Sequence, residues 1–360
     1  MSGWTSADLP SYSGRRVIVT GANSGLGLVT ARELARVGAK VTVAVRNLEK
    51  GTAAAETMTG GQVEVRKLDL QDLASVHEFA DTVESVDVLV NNAGIMAVPL
   101  SRTVDGFESQ IGTNHLGHFA LTNLLLPKIT DRVVTVSSLM HWIGKISLRD
   151  LNWKSRPYSA WLAYGQSKLA NLMFTSELQR RLTASGSQVR AVAAHPGYSA
   201  TNLQGQTGNK FGERMMATAN RMFASDATFG ARQTLFAISQ DVPGDSFIGP
   251  RFGQFGVSQP VGRSPLARNV RHSEGAVGPV RAAHQDHLSP VGRLHDFWGR
   301  AGLCYADLAS RRGWTIWATV IGGNFFKCCD PCRADDLTAV PQSRGATPWP
   351  RPQPRTSPTS

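Results

Sequence analysis

Tyr164 and Lys168 stand four residues apart in Tyr164-Gly165-Gln166-Ser167-Lys168, inside a stretch from Leu162 to Leu182 with the apolar spacing of a helix. At i and i+4 the phenol and the ammonium share one helix face. A phenol with an ordinary pKa of about 10 exchanges protons poorly near neutrality, and a cation held close favours its phenolate. Lys168 can supply that cation, so the pair can give and take a proton. The same spacing also occurs on solvated helix faces, so the pair acquires chemical meaning only from what stands around it.

The elements that must position it come earlier in the chain. Arg15 to Thr20 is a short β-branched run ending in Gly21, and Leu26 to Val37 continues with helical spacing. This is strand, Gly-rich turn and helix, in which Gly21, Gly25 and Gly27 let backbone approach a pyrophosphate at a helix N-terminus. Lys40 to Val45 is a second strand, closed by Arg46 and Asn47. An acidic side chain at that point suits the ribose hydroxyl of NAD, whereas an Arg suits the 2′-phosphate of NADP, so Arg46 favours NADP(H), with NAD(H) as the alternative. Further strands are expected at Val63 to Leu70, Val86 to Val90, Arg132 to Val136 and Gln188 to Ala194, with a last one starting in Asp245 to Gly249. Helices are expected in Asp105 to Pro127 and Ala227 to Ser239. The alternation specifies an α/β fold, a doubly wound parallel sheet of the Rossmann type, with a ligand over the carboxyl ends of the strands.

Thr20 to Gly27 (TGANSGLG), Asn91 to Gly94 (NNAG), Asn114, Ser137-Ser138 and the Tyr164/Lys168 pair, in this order, resemble the short-chain dehydrogenase/reductase family over about residues 10 to 268. The turn spacing TGxxxGxG is that family's form and departs from GxGxxG. The resemblance implies an NAD(P)-dependent oxidoreductase with Asn114, Ser138, Tyr164 and Lys168 as catalytic residues. Tyr164 would exchange a proton with the carbonyl or alcohol oxygen. Lys168 would lower the Tyr pKa and bond the nicotinamide ribose, Ser138 would hydrogen-bond the substrate oxygen, and Asn114 would hold a water leading to Lys168. Cofactor contacts are implied for Thr20, Gly21, Asn23, Ser24, Gly25, Leu26 and Gly27, for Arg46, and for Asp69 and Leu70 near the adenine. They are implied also for Asn91, Ala93 and Gly94, for Tyr164 and Lys168, and for Pro196, Gly197 and Thr201 beside the nicotinamide, where Tyr198 would wall the pocket. Tyr164 follows Ser138 by 26 residues, and the lengthened segment Leu139 to Ala163 is similar to the retinol-dehydrogenase-like branch. That implies a roomy apolar pocket for an aldehyde, ketone or alcohol. Met215, Met216, Met222 and Phe223, in Asn202 to Ala227, would form an adaptable lid.

Composition excludes several other classes. The formal charge is +11, but residues 1–248 carry 24 Lys+Arg against 20 Asp+Glu, while 249–360 carry 14 against 7. The basic excess belongs to the tail, which lacks the interleaved aromatics of a nucleic-acid groove. No stretch approaches the 18 or so apolar residues of a membrane span, and Met1 to Pro10 lacks the basic and apolar regions of a signal peptide, so a soluble cytoplasmic protein is expected. Cys329-Asp330-Pro331-Cys332 has half a zinc-site spacing without a second pair, and no metal is expected. His115 and His118 read as packing or surface residues. A dehalogenase-like relative would lack the Lys and the Gly-rich turn, both of which stand here. A non-catalytic NADPH-sensing regulator, or an enzyme inactivated by an altered C-terminus, are the alternatives to catalysis. The resemblance implies a homo-oligomer, an expectation that the C-terminus bears on.

Domain organisation follows: an N-terminal arm at 1–14, one Rossmann-type oxidoreductase domain at 15–268, and a tail at 269–360 with disorder-prone composition. Half of the chain's 18 Pro fall after Asn269. Codons for Arg271 to Val291 can be chosen so that a one-base shift reads DTARALWDLSEQLTKTTFPL and then a stop, a string that resembles the family's closing helix. An out-of-frame extension after about 269 is therefore expected, with a natural disordered extension as the alternative. Resequencing the gene is expected to return codons that spell this helix in the shifted frame; codons that cannot do so sink the idea.

Overall fold

The computed structural model describes residues 3–197 and 227–268. Tyr198, Thr201, the expected lid at 202–227 except its last residue, Ala227, and the expected tail at 269–360 lie outside the described residues. The strands are β1 (Arg16–Thr20), β2 (Lys40–Val45), β3 (Gln62–Lys67), β4 (Val86–Asn91), β5 (Ile129–Val136), β6 (Arg190–Ala194), β7 (Phe247–Pro250) and β8 (Ser258–Pro260). They form one sheet in the order β3-β2-β1-β4-β5-β6-β7-β8, parallel except for the β7–β8 pair. The doubly wound sheet read from the sequence is what forms. The antiparallel β8 was not foreseen; three residues, one of them Pro, give no readable alternation. Pro260 stands at the open edge, where a missing N–H costs no ladder bond.

The interior strands are apolar on both faces, as parallel strands covered on both sides must be. Val17, Val19, Val41, Val43, Val88, Val90, Val134 and Val192 pack in one cluster with Ala31, Leu34 and Ala35 of α1 (Gly25–Arg36). The helices α2 (Leu48–Ala55) and α3 (Leu73–Asp81) start on side-chain caps, Asn47 accepting from Lys50 N and Asp72 from Ala74 N. Each cap satisfies one amide that the first turn leaves without a partner. The stretch expected as one amphipathic helix over 105–127 is instead α4 (Ser109–Ile111), a π turn at Gly112–Leu116, and α5 (Gly117–Leu125). Beyond lie α6 (Ala160–Ala184), α7 (Ala227–Ser239) and α8 (Pro265–Arg268).

The described part of the arm, 3–14, is not detached from the fold. Leu9 and Tyr12 are buried, Trp4 meets Phe236 edge-on at 5.3 Å, and the Tyr12 hydroxyl donates to Ile238 O at 2.9 Å. Arg132, buried in β5, donates to Ala237 O and Gln240 O at 2.9 and 3.0 Å. Two side chains distant in sequence thus hold carbonyls at the C-terminal end of α7, where a cation also meets the negative pole of the helix.

Three imidazoles are enclosed as neutral groups. Burial lowers His115 and His195 to about 4 and His118 to about 3. The unfolded chain, with these groups near 6.5, binds more protons than the fold below that pH. Their contribution to stability is therefore complete above pH 6.5 and is lost as the pH falls toward 4. The urea midpoint is expected to drop between pH 6.5 and 5, each histidine removing up to about 1.4 kcal/mol per pH unit. A midpoint constant over that range contradicts the burial.

Candidate active site

β1 and β4 are neighbours in space although two strands separate them in sequence, and the chain order reverses between them. Their carboxyl ends are therefore the switch point where such sheets form a crevice. Thr20, the last residue of β1, is wholly buried there. Its hydroxyl accepts from Asn92 N and Ala93 N, both at 2.9 Å, and lies 2.8 Å from His118 Nε2. The Asn92 side-chain amide returns a bond to Thr20 O at 2.8 Å. Asn91, equally buried, donates from Nδ2 to Thr122 Oγ1 at 2.9 Å, joining β4 to α5. The Thr20 hydroxyl and Asn91 Nδ2, on residues expected among cofactor contacts, thus bond within the protein and build the crevice.

The turn that follows fits a phosphate. Gly21 has φ +66°, and a Cβ there would come within 2.9 Å of the Ala93 Cβ, so only glycine lets the two loops close on each other. Gly27 is packed still more tightly, a Cβ falling 2.4 Å from Asn92 Nδ2. Ser24 makes no side-chain cap bond, so the first-turn amides of α1, without partners by helix geometry, meet no capping side chain. Those amides and the positive pole of α1 form an anion cradle. Asn23, Ser24 and Gly25 are half-buried at its edge, and Leu26 is buried behind it. Arg46 is exposed at the end of β2. Asp69, past the end of β3, accepts from Gln71 N at 2.9 Å, and Leu70 is buried against Gly117 at the start of α5. Pro196 and Gly197 are half-buried after β6, Gly197 with φ +72°.

Ser138, Tyr164 and Lys168 converge beside this crevice. β5 delivers the two serines, and their roles separate. Ser137 Oγ donates to Lys168 O at 2.8 Å, inside the core, whereas the Ser138 side chain faces the Tyr164 phenol and opposes the rise of its pKa. Tyr164 and Lys168 are 6% and 3% exposed, which excludes a solvated helix face. Lys168 Nζ donates to Val136 O at 3.0 Å and lies 5.7 Å from the Tyr164 ring centre. Burial pushes the phenol up to about 12, opposed by Ser138, and pushes the ammonium down to about 8. The lowering of the phenol expected from Lys168 does not contribute here: desolvation raises it and Ser138 alone opposes the rise, the cation being drawn toward a strand carbonyl.

Asn114 sits in the π turn, wholly buried. Its side chain is fully engaged: Oδ1 accepts from Ile95 N at 2.8 Å, and Nδ2 donates to Ile95 O and Ser167 Oγ at 2.9 Å each. It locks the segment after Gly94 onto the helix that carries Tyr164 and Lys168. A Cβ at Gly94 would come 3.1 Å from Asn114 Oδ1 and 3.6 Å from Lys168 Nζ, so these three groups meet at one point. The backbone carbonyl of Asn114 accepts from His118 Nδ1 at 3.1 Å.

His118 is the residue that sequence reasoning undervalued. Because Asn114 O can only accept, the proton is on Nδ1, and Nε2 accepts from the Thr20 hydroxyl. The available signal was its place four residues after Asn114, on the same helix face. His141, three residues after Ser138, was likewise missed; it is wholly buried with Nδ1 2.7 Å from Ser138 O. Among the described residues no cluster of His, Cys, Asp or Glu could hold a metal ion.

The arrangement is that of a short-chain dehydrogenase. A model of the short chain dehydrogenase family matches residues 15–211, over half of the chain, and the protein belongs to that family. Human retinol dehydrogenase 13 is 50% identical over 207 residues, covering 54% of this chain and 62% of that protein. Mouse retinol dehydrogenase 12 is 50% identical over 196 residues, covering 51% and 61%. The chain thus aligns with less than two thirds of the length of these relatives, and within the family it falls in their branch. The crystal structure of an uncharacterised protein from Mycobacterium paratuberculosis is 67% identical, covers 74% of this chain and 92% of that one, and superposes with a TM-score of 0.66.

Thr20→Val removes the hydroxyl that two half-buried backbone amides and an imidazole share. It is expected to cost on the order of 3 kcal/mol or more in urea unfolding, while Thr20→Ser stays within about 1 kcal/mol of the parent. Equal stability of the two variants would show that the hydroxyl is not the joint.

Proposed function

We propose that the protein is an NADP(H)-preferring oxidoreductase that interconverts an apolar aldehyde or ketone and the corresponding alcohol. The observation that carries this reading is the meeting of the Ser138 and Tyr164 side chains with buried Lys168, next to an anion cradle at the sheet's switch point. The residues present fit a dinucleotide: free first-turn amides for its phosphates, Arg46 for a 2′-phosphate, and Lys168 for a ribose hydroxyl. When bound, that cofactor supplies or accepts the hydride. Tyr164, protonated at neutral pH by its burial, donates its proton to the carbonyl oxygen as charge develops there. Ser138 donates a second hydrogen bond to the same oxygen, an electrostatic role whose loss costs on the order of a hundredfold in rate. Lys168 stabilises the phenolate left behind. Alcohol oxidation runs these steps in reverse, with the phenolate as base.

The apolar substrate class is supported by a side chain near the phenol. Trp161 meets Tyr164 edge-on at 6.5 Å and is 37% exposed. The relatives named as retinol dehydrogenases point the same way. Preference for NADP(H) rests on Arg46, and a dehydrogenase from Beutenbergia cavernae, 25% identical with a TM-score of 0.50, was crystallised with NADP. A cytoplasmic, self-associating protein completes the reading. Among the described residues no helix is long and apolar enough to cross a membrane.

Consumption of NADPH and NADH across a panel of apolar aldehydes and ketones tests the proposal. The parent protein is expected to prefer NADPH, Tyr164→Phe to lose turnover while still binding cofactor, and Ser138→Ala to fall about a hundredfold. Arg46→Asp is expected to reverse the preference toward NADH. Cofactor binding without turnover on any substrate would move the reading to a sensor or an inactivated enzyme.

A further inference from the structure

Beyond the groups that face a substrate, the segment carrying Ser138 has a second anchor. Ser138 starts the 3-10 turn Leu139–Ile143, accepting from Met140 N through its hydroxyl at 3.2 Å and from His141 N through its carbonyl at 3.1 Å. His141 Nδ1 lies 2.7 Å from that same carbonyl. A carbonyl only accepts, so the imidazole proton is on Nδ1 and Nε2 is left as an acceptor. Nε2 accepts from Ser264 N at 3.0 Å. One buried ring thus joins the backbone of Ser138 to the backbone of a residue 126 positions later, by two hydrogen bonds of defined direction.

The far end is itself fixed. Ser264 is buried and precedes α8, accepting from Ala267 N and Arg268 N through its carbonyl. Arg263 donates to Asp245 Oδ1 at 2.7 Å and to Ser176 Oγ at 2.6 Å, so the segment is fastened to α6, the helix of Tyr164 and Lys168. Val261 N donates to Phe247 O at 2.7 Å, and the Phe247 ring meets His141 edge-on at 5.5 Å. On its other side Phe247 packs at 4.9 Å against His195, whose Nδ1 accepts from Gly197 N at 3.1 Å. The strip from Phe247 to Arg268 therefore reaches both sides of the candidate site, the Ser138 turn through His141 and the Pro196-Gly197 turn through His195.

We propose that His141 is a positioning residue, which fixes the carbonyl of Ser138 and makes the C-terminal segment around Ser264 part of the frame that aims the Ser138 hydroxyl. The inference builds on the oxidoreductase reading, and its test has a readout independent of turnover. An Asn side chain places its amide donor near the position of Nδ1, and a Gln side chain places its carbonyl acceptor near that of Nε2. H141N can keep the bond to Ser138 O and loses Ser264; H141Q can keep Ser264 and loses Ser138; H141F loses both. Because N and Q each lose one buried hydrogen bond, a purely structural role predicts equal damage.

Steady-state kinetics and hydrogen exchange of the four proteins decide between these. Expected are a kcat at least tenfold lower in H141Q and H141F, a kcat recovered to within about threefold in H141N, and a KM for NADPH that stays within threefold throughout. The Ser264 amide should exchange faster in H141N and H141F and remain protected in H141Q. Equal kcat in H141N and H141Q, or a Ser264 amide still protected in H141F, overturns the proposal. A parent protein that turns over no substrate refutes the oxidoreductase reading alone; the exchange of Ser264 and of the Met140 and His141 amides then decides whether His141 joins the two segments.

Discussion

The site depends on one hydroxyl. Thr20 ends the strand before the Gly-rich turn, and its oxygen accepts the amides of Asn92 and Ala93 from the strand across the crevice while facing His118 Nε2. Buried backbone amides must find acceptors, and an N–H left without one costs about 1–3 kcal/mol. One side-chain oxygen here satisfies two half-buried amides at the point where the sheet's order reverses. It thereby sets the spacing between the turn after β1 and the turn after β4, within which Gly21 comes almost into contact with Ala93. A branched hydroxyl suits the place, since Thr fits a buried strand and carries the acceptor at the right reach.

From that joint the constraint passes to the chemistry through backbone groups. His118 links Thr20 to the carbonyl of Asn114, Asn114 clamps Ile95 and Ser167, and Ser167 Oγ donates to Tyr164 O at 2.7 Å. Four polar side chains thus run from the crevice to the helix that carries Tyr164 with their hydrogen-bonding groups matched. Such networks hold geometry firmly because a half-satisfied one is so costly in a low-dielectric interior. The π turn at 112–116 belongs to this device. An ordinary α-turn would present its side chains on a different rotation, and π turns of this kind concentrate at functional positions.

Most of the fold was legible because parallel strands buried on both faces leave long β-branched runs, and β2 matched its expected bounds residue for residue. The four catalytic candidates were picked out by motif, and three of them, Ser138, Tyr164 and Lys168, lie together in space. What escaped were the connections. Nothing in the local sequence says that Thr20 faces inward to its neighbours rather than outward to a ligand, since both uses need the same hydroxyl. The balance at Tyr164 was equally hidden: i and i+4 spacing gives proximity to Lys168, but only the three-dimensional packing shows that burial raises the phenol and that Lys168 donates to Val136 O. Short β8 lay below the length at which alternation can be read.

The lengthened segment between Ser138 and Tyr164 shows how an insertion can approach a site without disturbing it. It is pinned at its middle by polar contacts rather than by apolar burial alone. The Tyr158 hydroxyl accepts from Gln110 Nε2 at 2.8 Å and lies 3.0 Å from Val98 O and 3.2 Å from Glu108 Oε1. Glu108 is wholly buried, yet its carboxylate accepts from Gln110 N and Ile111 N at 2.9 Å each, at the start of α4. A buried charge is tolerable where amides and a helix pole face it. Arg156 stacks over Trp153 at 3.5 Å and donates to Gln166 Oε1 at 2.9 Å, closing the segment onto α6. With its centre held in this way, Trp142 and Trp161 at its two ends remain exposed. The polar anchors are thus what allow aromatic surface to stand beside Tyr164 instead of collapsing into the core.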